Sequence, residues 1–302
     1  MSSAIGIGFH TDAFNSSHKS FEQALAWARE HDVRLIECGV IEGACWIQGL
    51  GHFPHVSLLQ DPHELRETMD SHNVQFAQIC ANYPLAGADG MSVGVPYVKK
   101  AIEWAREAGS PMVSTTDGVF RPDGISEFDA FDSMKRCYGE ILEAAEANGV
   151  VVTVEVHGHF TSRADYLSEL LELGDGSPWL KLTLDTGNSL VAGTNPVELA
   201  AHFLDHLAHV HLKDVPAELV AAARGVGTGT EFEDVAVGQG ANAENIRIIL
   251  QMLGARGYDG AVTIECEGKG GPLLAESLEW VRNQLPAADL EERETSHFAL
   301  AA

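Results

Sequence analysis

Eight times along the chain a short apolar run is followed by a longer amphipathic one. AIGIGF (4–9) precedes SFEQALAWAREHD (20–32), and RLIECGV (34–40) precedes DPHELRETMDSHN (61–73). VQFAQICA (74–81) leads to PYVKKAIEWAREAG (96–109), and PMVSTT (111–116) to EFDAFDSMKRCYGEILEAAEANG (127–149). VVVTVEVHG (150–158), LKLTLDTG (180–187), LAHVHLKD (207–214) and GAVTIECEG (260–268) continue the series, with helical runs near 163–173, 196–206, 243–256 and 272–284. Apolar strands alternating with amphipathic helices build a parallel sheet covered by helices. Eight units in 302 residues, undivided by a Pro/Ser/Gly-rich linker, predict an α/β fold with a single (β/α)8 TIM barrel over residues 1–286. A doubly wound open sheet is the structural alternative. The polar stretch AADLEERETSHFALAA (287–302) is expected to be a tail or an intersubunit arm.

Charge and cysteine usage narrow the function classes. With 44 acidic against 19 basic residues the formal charge is −25, and no basic stripe offsets it, which argues against a nucleic-acid partner. The start MSSAIGIGFHTDAF has no basic leader, and no run reaches about 18 apolar residues, so neither secretion nor membrane insertion is expected. Cys38, Cys45, Cys80, Cys137 and Cys266 form no CxxC pair and read as free thiols of a reducing, cytoplasmic compartment. The glycines of GVGTGT (225–230) follow no strand and open no helix, so a flexible loop is preferred over a phosphate cradle.

Two long connections follow strands, 41–60 and 215–242, and a barrel would place both on its C-terminal face, where active sites are built. The first carries Trp46, His52 and Phe53, aromatic groups able to stack on a sugar or an aglycone. Trp46 and His52 are therefore candidate substrate contacts, with His10 at the end of the first strand.

The last four strands break their apolar runs with acceptor groups: Glu155 in VTVEVHG, Asp185 in LTLDTGN, His211 in HVHLKD and Glu265 in VTIECEG. Strand side chains alternate faces, so Glu155 shares a side with His157 and His159, His211 with His209 and Lys213, and Glu265 with Glu267. Carboxylates gathered in one barrel mouth repel one another and lose hydration, which costs several kcal/mol per buried ion unless something positive sits among them. One divalent metal ion meets that need. A mixed Glu/Asp/His set without thiolates suits Mn²⁺, Mg²⁺, Co²⁺ or Zn²⁺, and Mn²⁺ is the expected ion. Taken singly, each residue could instead be an ordinary ion-paired or hydrogen-bonded side chain.

The set VEVH, LDTGNSLVAGTNPVE, HVHLKD, VGQG and GYDGAVTIECE resembles the sugar phosphate isomerase/epimerase superfamily over nearly the whole chain. These are xylose isomerase-like TIM barrels, and the superfamily also includes ketose 3-epimerases, inosose dehydratases, C-glycoside deglycosidase catalytic subunits and endonuclease IV. The resemblance implies that Glu155, Asp185, His211 and Glu265 are metal ligands, and that Glu155 and Glu265 act on opposite faces of the substrate. The implied reaction is proton abstraction next to the carbonyl of a sugar or sugar-derived ketone through a metal-stabilised enediolate. His157 and Lys213 are expected to join the acid/base chemistry, and Asn188 and Glu267 to contact substrate. Two departures from the ketose 3-epimerase pattern, Asn188 in place of a His and Asp214-Val215-Pro216 in place of an Arg, count against free ketohexoses.

An isomerase or epimerase is the leading reading. A lyase, either a dehydratase or a 3-oxo-glycoside or C-glycoside eliminase, shares the first proton abstraction and is the alternative. A DNA-repair endonuclease would need more histidine ligands and a basic groove. A carbohydrate-binding or regulatory subunit that keeps its metal as a relic is the non-catalytic reading, and a homo-oligomer or a second subunit is compatible with all of these.

Overall fold

The computed structural model describes residues 5–42, 54–118, 121–174, 176–223, 235–266 and 271–285. Among them nine strands form one parallel sheet: β1 (Gly6–His10), β2 (Leu35–Ile41), β3 (Pro54–Ser57), β4 (Gln75–Cys80), β5 (Met112–Thr115), β6 (Val151–Glu155), β7 (Leu180–Asp185), β8 (Leu207–Leu212) and β9 (Ala261–Ile264). β1 pairs with both β2 and β9, which closes eight strands into a barrel, while β3 adds only to the edge of β2. The expected (β/α)8 barrel is therefore observed, and the open sheet is not.

The helices are α1 (Asp12–Asn15), α2 (Phe21–Glu30), α3 (Pro62–Ser71), α4 (Val95–Ala108), α5 (Glu127–Asn148), α6 (Ala164–Leu171), α7 (Thr186–Val191), α8 (Pro196–His202), α9 (Ala217–Ala223), α10 (Ala243–Arg256) and α11 (Gly271–Gln284). The eight long amphipathic runs correspond to α2, α3, α4, α5, α6, α8, α10 and α11. Local chemistry sets their ends. Ser20, Asp61 and Ser126 accept backbone N–H groups at helix starts, and glycines with positive φ terminate α4, α5 and α10. The short α1, α7 and α9 were not separated from their loops by periodicity, because one or two turns carry too few residues to show it.

Alternation along the strands sorts the core. Val152 and Val154, Leu182 and Leu184, Val210 and Leu212, and Val262 and Ile264 belong to one apolar cluster together with the buried faces of the helices. The opposite phase is polar and also buried: Thr153 and Glu155, Thr183 and Asp185, His209 and His211, and Thr263 and Glu265. Barrel interiors are usually filled by branched aliphatic side chains. Here polar residues fill it, and they carry the site.

Candidate metal centre

Glu155 ends β6, Asp185 ends β7, His211 is on β8, and Glu265 directly follows β9. Parallel register sets these ends side by side, with Asp185 opposite His211 and Leu212 opposite Ile264. Nδ1 of His211 lies 3.4 Å from Glu155 Oε1, 3.4 Å from Glu265 Oε2 and 3.8 Å from Asp185 Oδ2. Asp185 also starts α7, its Oδ1 accepting the Asn188 N–H at 2.8 Å, which leaves Oδ2 aimed at the cluster. Asn82 beyond β4 donates to Glu155 Oε2 at 3.1 Å, and Lys213 Nζ donates to Glu265 Oε1 at 3.2 Å. The lysine stem crosses Gly187 so closely that a Cβ there would sit 2.6 Å from its Cγ, a physical reason for glycine in the DTGN stretch.

The electrostatics show how strongly this pocket retains positive charge. Burial would strip the proton from His211, but the Glu37 carboxylate and the contacts with Asp185 and Glu155 prevail and hold its pKa well above 6.5. Burial would also raise Glu265, yet Lys213, His211 and His10 draw it down to about 2. For Asp185, burial and the Glu265 charge win and push it up to about 6. Glu155 ends below its ordinary value because His211 and His157 outweigh its burial.

Asp185 Oδ2, Glu265 Oε2 and His211 Nδ1 are buried and make no hydrogen bond among the described residues. Buried polar atoms are nearly always partnered, so three such atoms, each able to offer a lone pair and turned toward one another, fit a cation. Glu155, Asp185 and His211 offer ligand atoms within 4.8 Å of one another. Two other groupings, His10–Glu37–Cys80 and Glu37–His209–His211, are equally compact, but both depend on Glu37, whose oxygens are already occupied by N–H, O–H and S–H donors. The mouth cluster is thus the better cation site.

Of the other residues singled out from sequence, His157 is buried beyond β6 and acts electrostatically on Glu155. Asn188 is buried in the first turn of α7. His10 reaches the mouth from β1, 6.2 Å from the His211 ring, and Asp12 overcomes its burial to raise it to about 9. Trp46, His52, Glu267 and the tail 287–302 lie outside the described residues. His159 is not with Glu155: β6 ends at Glu155, the alternation stops there, and the imidazole pairs with Glu127 at 3.5 Å. His209 lies a layer deeper than His211 and bonds to Glu37 at 2.9 Å. Cys266, next to Glu265 and so of the opposite phase, is packed in the apolar cluster. Sequence reasoning missed Glu37 and Asn82. A signal existed for Glu37, an acid inside the apolar run RLIECGV, as conspicuous as Glu155 in its own strand.

A closed parallel barrel with carboxylate and imidazole groups at the C-terminal ends of its strands defines an α/β-barrel protein with a site able to hold a cation. The chain belongs to the xylose isomerase-like TIM barrel family, which it matches over residues 25–284. An inosose dehydratase of Clostridium botulinum (strain Eklund 17B / Type B) is 30% identical over 103 residues, 33% of this chain and 34% of that enzyme. The chain therefore spans about a third of the length of that relative in the match. A D-tagatose 3-epimerase-like protein of known structure aligns with a TM-score of 0.72 and 22% identity, covering 96% of this chain and 100% of that one. The IOLI protein, solved with a binding zinc atom, aligns with a TM-score of 0.67 and 15% identity, covering 97% and 100%. At these identities the two structures establish the fold.

Proposed function

We propose that this protein is a divalent-metal-dependent isomerase or epimerase that removes a proton next to the carbonyl of a sugar or oxo-sugar. Glu155, Asp185, His211 and Glu265 would hold the ion, with Mn²⁺ the first choice. The observation that carries this reading is the convergence of Asp185 Oδ2, Glu265 Oε2 and His211 Nδ1, all unbonded and buried, beside Glu155. An ion held there would supply Lewis-acid stabilisation of negative charge on substrate oxygen. Four buried free cysteines support a reducing, cytoplasmic setting.

The residues themselves move the proton. β6 and β9 are separated by β7 and β8 around the barrel, so Glu155 and Glu265 approach the mouth from different sides. Glu155, oriented by Asn82 and next to His157, takes the proton from one face. Glu265, on the other side, passes to the opposite face a second proton, drawn from the Lys213 ammonium 3.2 Å from its Oε1. Burial of both carboxylates excludes competing water and keeps them in reach of the reacting carbon.

A lyase is the second reading, favoured by Lys213: an ammonium 3.2 Å from Glu265 can protonate a departing hydroxyl or aglycone. The similarity to an inosose dehydratase points the same way. One experiment covers both. Metal-loaded protein is incubated in D₂O with ketoses, inososes and 3-oxo-glycosides, and deuterium is expected at a carbon-bound position, with loss of water or aglycone only for a lyase. Glu155→Gln and Glu265→Gln should each lower turnover by roughly 10²–10⁴-fold without loss of fold. Full activity in either variant, or no exchange across the panel, refutes the assignment.

A further inference from the structure

Glu37 on β2 is fully buried one layer beneath the mouth and collects donors from five residues on three strands. Gln78 Nε2 and Cys80 Sγ donate to Oε1, each at 2.8 Å. Thr263 Oγ1 donates to Oε2 at 2.8 Å and His209 Nε2 at 2.9 Å. Nε2 of His211 stands 3.0 Å from both oxygens. The arrangement is braced from below: the Thr153 and Thr183 hydroxyls donate to Gln78 Oε1 at 2.9 and 3.2 Å, which turns the amide nitrogen of Gln78 toward Glu37.

An ionised carboxylate only accepts hydrogen bonds, so the His211 nitrogen that faces it must carry hydrogen. The lone pair that can serve a cation is then on Nδ1, the nitrogen turned toward Glu155, Asp185 and Glu265. With both oxygens equidistant from Nε2, the carboxylate also fixes the ring plane. We propose that Glu37 is a positioning residue that selects Nδ1 of His211, rather than Nε2, as the metal-facing atom, with His209 as a second brace on the same carboxylate. This rests on the metal site proposed above. Glu37 itself touches no substrate: it is fully buried and both its oxygens are taken up by protein side chains. The HVH stretch thereby acquires a division of labour, His211 toward the ion and His209 toward the carboxylate that aims it.

The test uses the full chain, labelled with ¹⁵N and loaded with diamagnetic Zn²⁺. Long-range ¹H–¹⁵N correlation should show His211 with hydrogen on Nε2 and Zn²⁺ on Nδ1; the reverse assignment overturns the proposal without any variant. Glu37→Gln, which keeps the size but leaves one acceptor oxygen, should weaken Zn²⁺ binding roughly 10–100-fold by calorimetry. Glu37→Asp should recover part of that loss, since it restores the charge. A folded Glu37→Gln protein with unchanged affinity overturns the proposal, whereas wild-type protein that binds no Zn²⁺ overturns the site assignment and this inference with it.

Discussion

Asp185→Asn separates the two jobs of one side chain. Oδ1 of Asp185 caps α7 through the Asn188 N–H at 2.8 Å, while Oδ2 faces His211 Nδ1 at 3.8 Å without a hydrogen bond. Asparagine caps a helix about as well as aspartate, so the cap survives, and an amide NH₂ replaces the oxygen that faces the cluster. In the metal-free protein the carboxyl is raised from 3.8 to about 6 by burial and by Glu265. Between those values the folded state binds more protons than the unfolded one, so stability falls as pH rises through the window and the penalty is complete above it. Two units at about 1.4 kcal/mol each set an upper figure of about 3 kcal/mol, less in practice because Glu265 draws on the same positive neighbours. In EDTA at pH 8 the variant should therefore be the more stable protein. With Mn²⁺ at a thousand times its dissociation constant the wild type gains about 4.1 kcal/mol, which the variant largely forgoes, and the order reverses. Urea denaturation followed by far-UV circular dichroism, with EDTA and then with Mn²⁺, reads both signs. Equal stabilisation of the two proteins by Mn²⁺, or a variant clearly less stable in EDTA, refutes the reasoning.

Two further outcomes follow from packing. A Cβ on Gly158 would sit 1.7 Å from the Gly118 carbonyl oxygen and 2.3 Å from Asp117 Oδ1, so Gly158→Ala must part the loops after β5 and β6. It should cost roughly 3 kcal/mol in urea denaturation, and an unchanged midpoint would contradict the close approach. Cys38, Cys80, Cys137 and Cys266 are buried, and burial lifts Cys137 to about 11 and Cys38 and Cys80 well above 9. Because the thiolate is the reactive form, these four should react with Ellman's reagent only on unfolding. Prompt reaction of more than one thiol per native chain would contradict that burial, since only Cys45 lies outside the described residues.

The division between what the chain spells out and what the fold adds follows from the range of each interaction. Strand–helix alternation and the shared phase of Glu155, Asp185, His211 and Glu265 were legible because both are local: a two-residue repeat puts those side chains inside any barrel that these strands form. The same rule misplaced His159, since alternation holds only while the chain stays extended and β6 stops at Glu155. Glu37 was passed over for the opposite reason. Its partners His209 and His211 are 172 and 174 residues away, and nothing near RLIECGV says which strands will lie across the barrel from it. Closure through β1–β2 and β1–β9, with the register between neighbouring strands, decides which inward-facing polar groups meet. A residue's inward direction is thus written in its own strand, whereas its partner is chosen only when the sheet closes on itself.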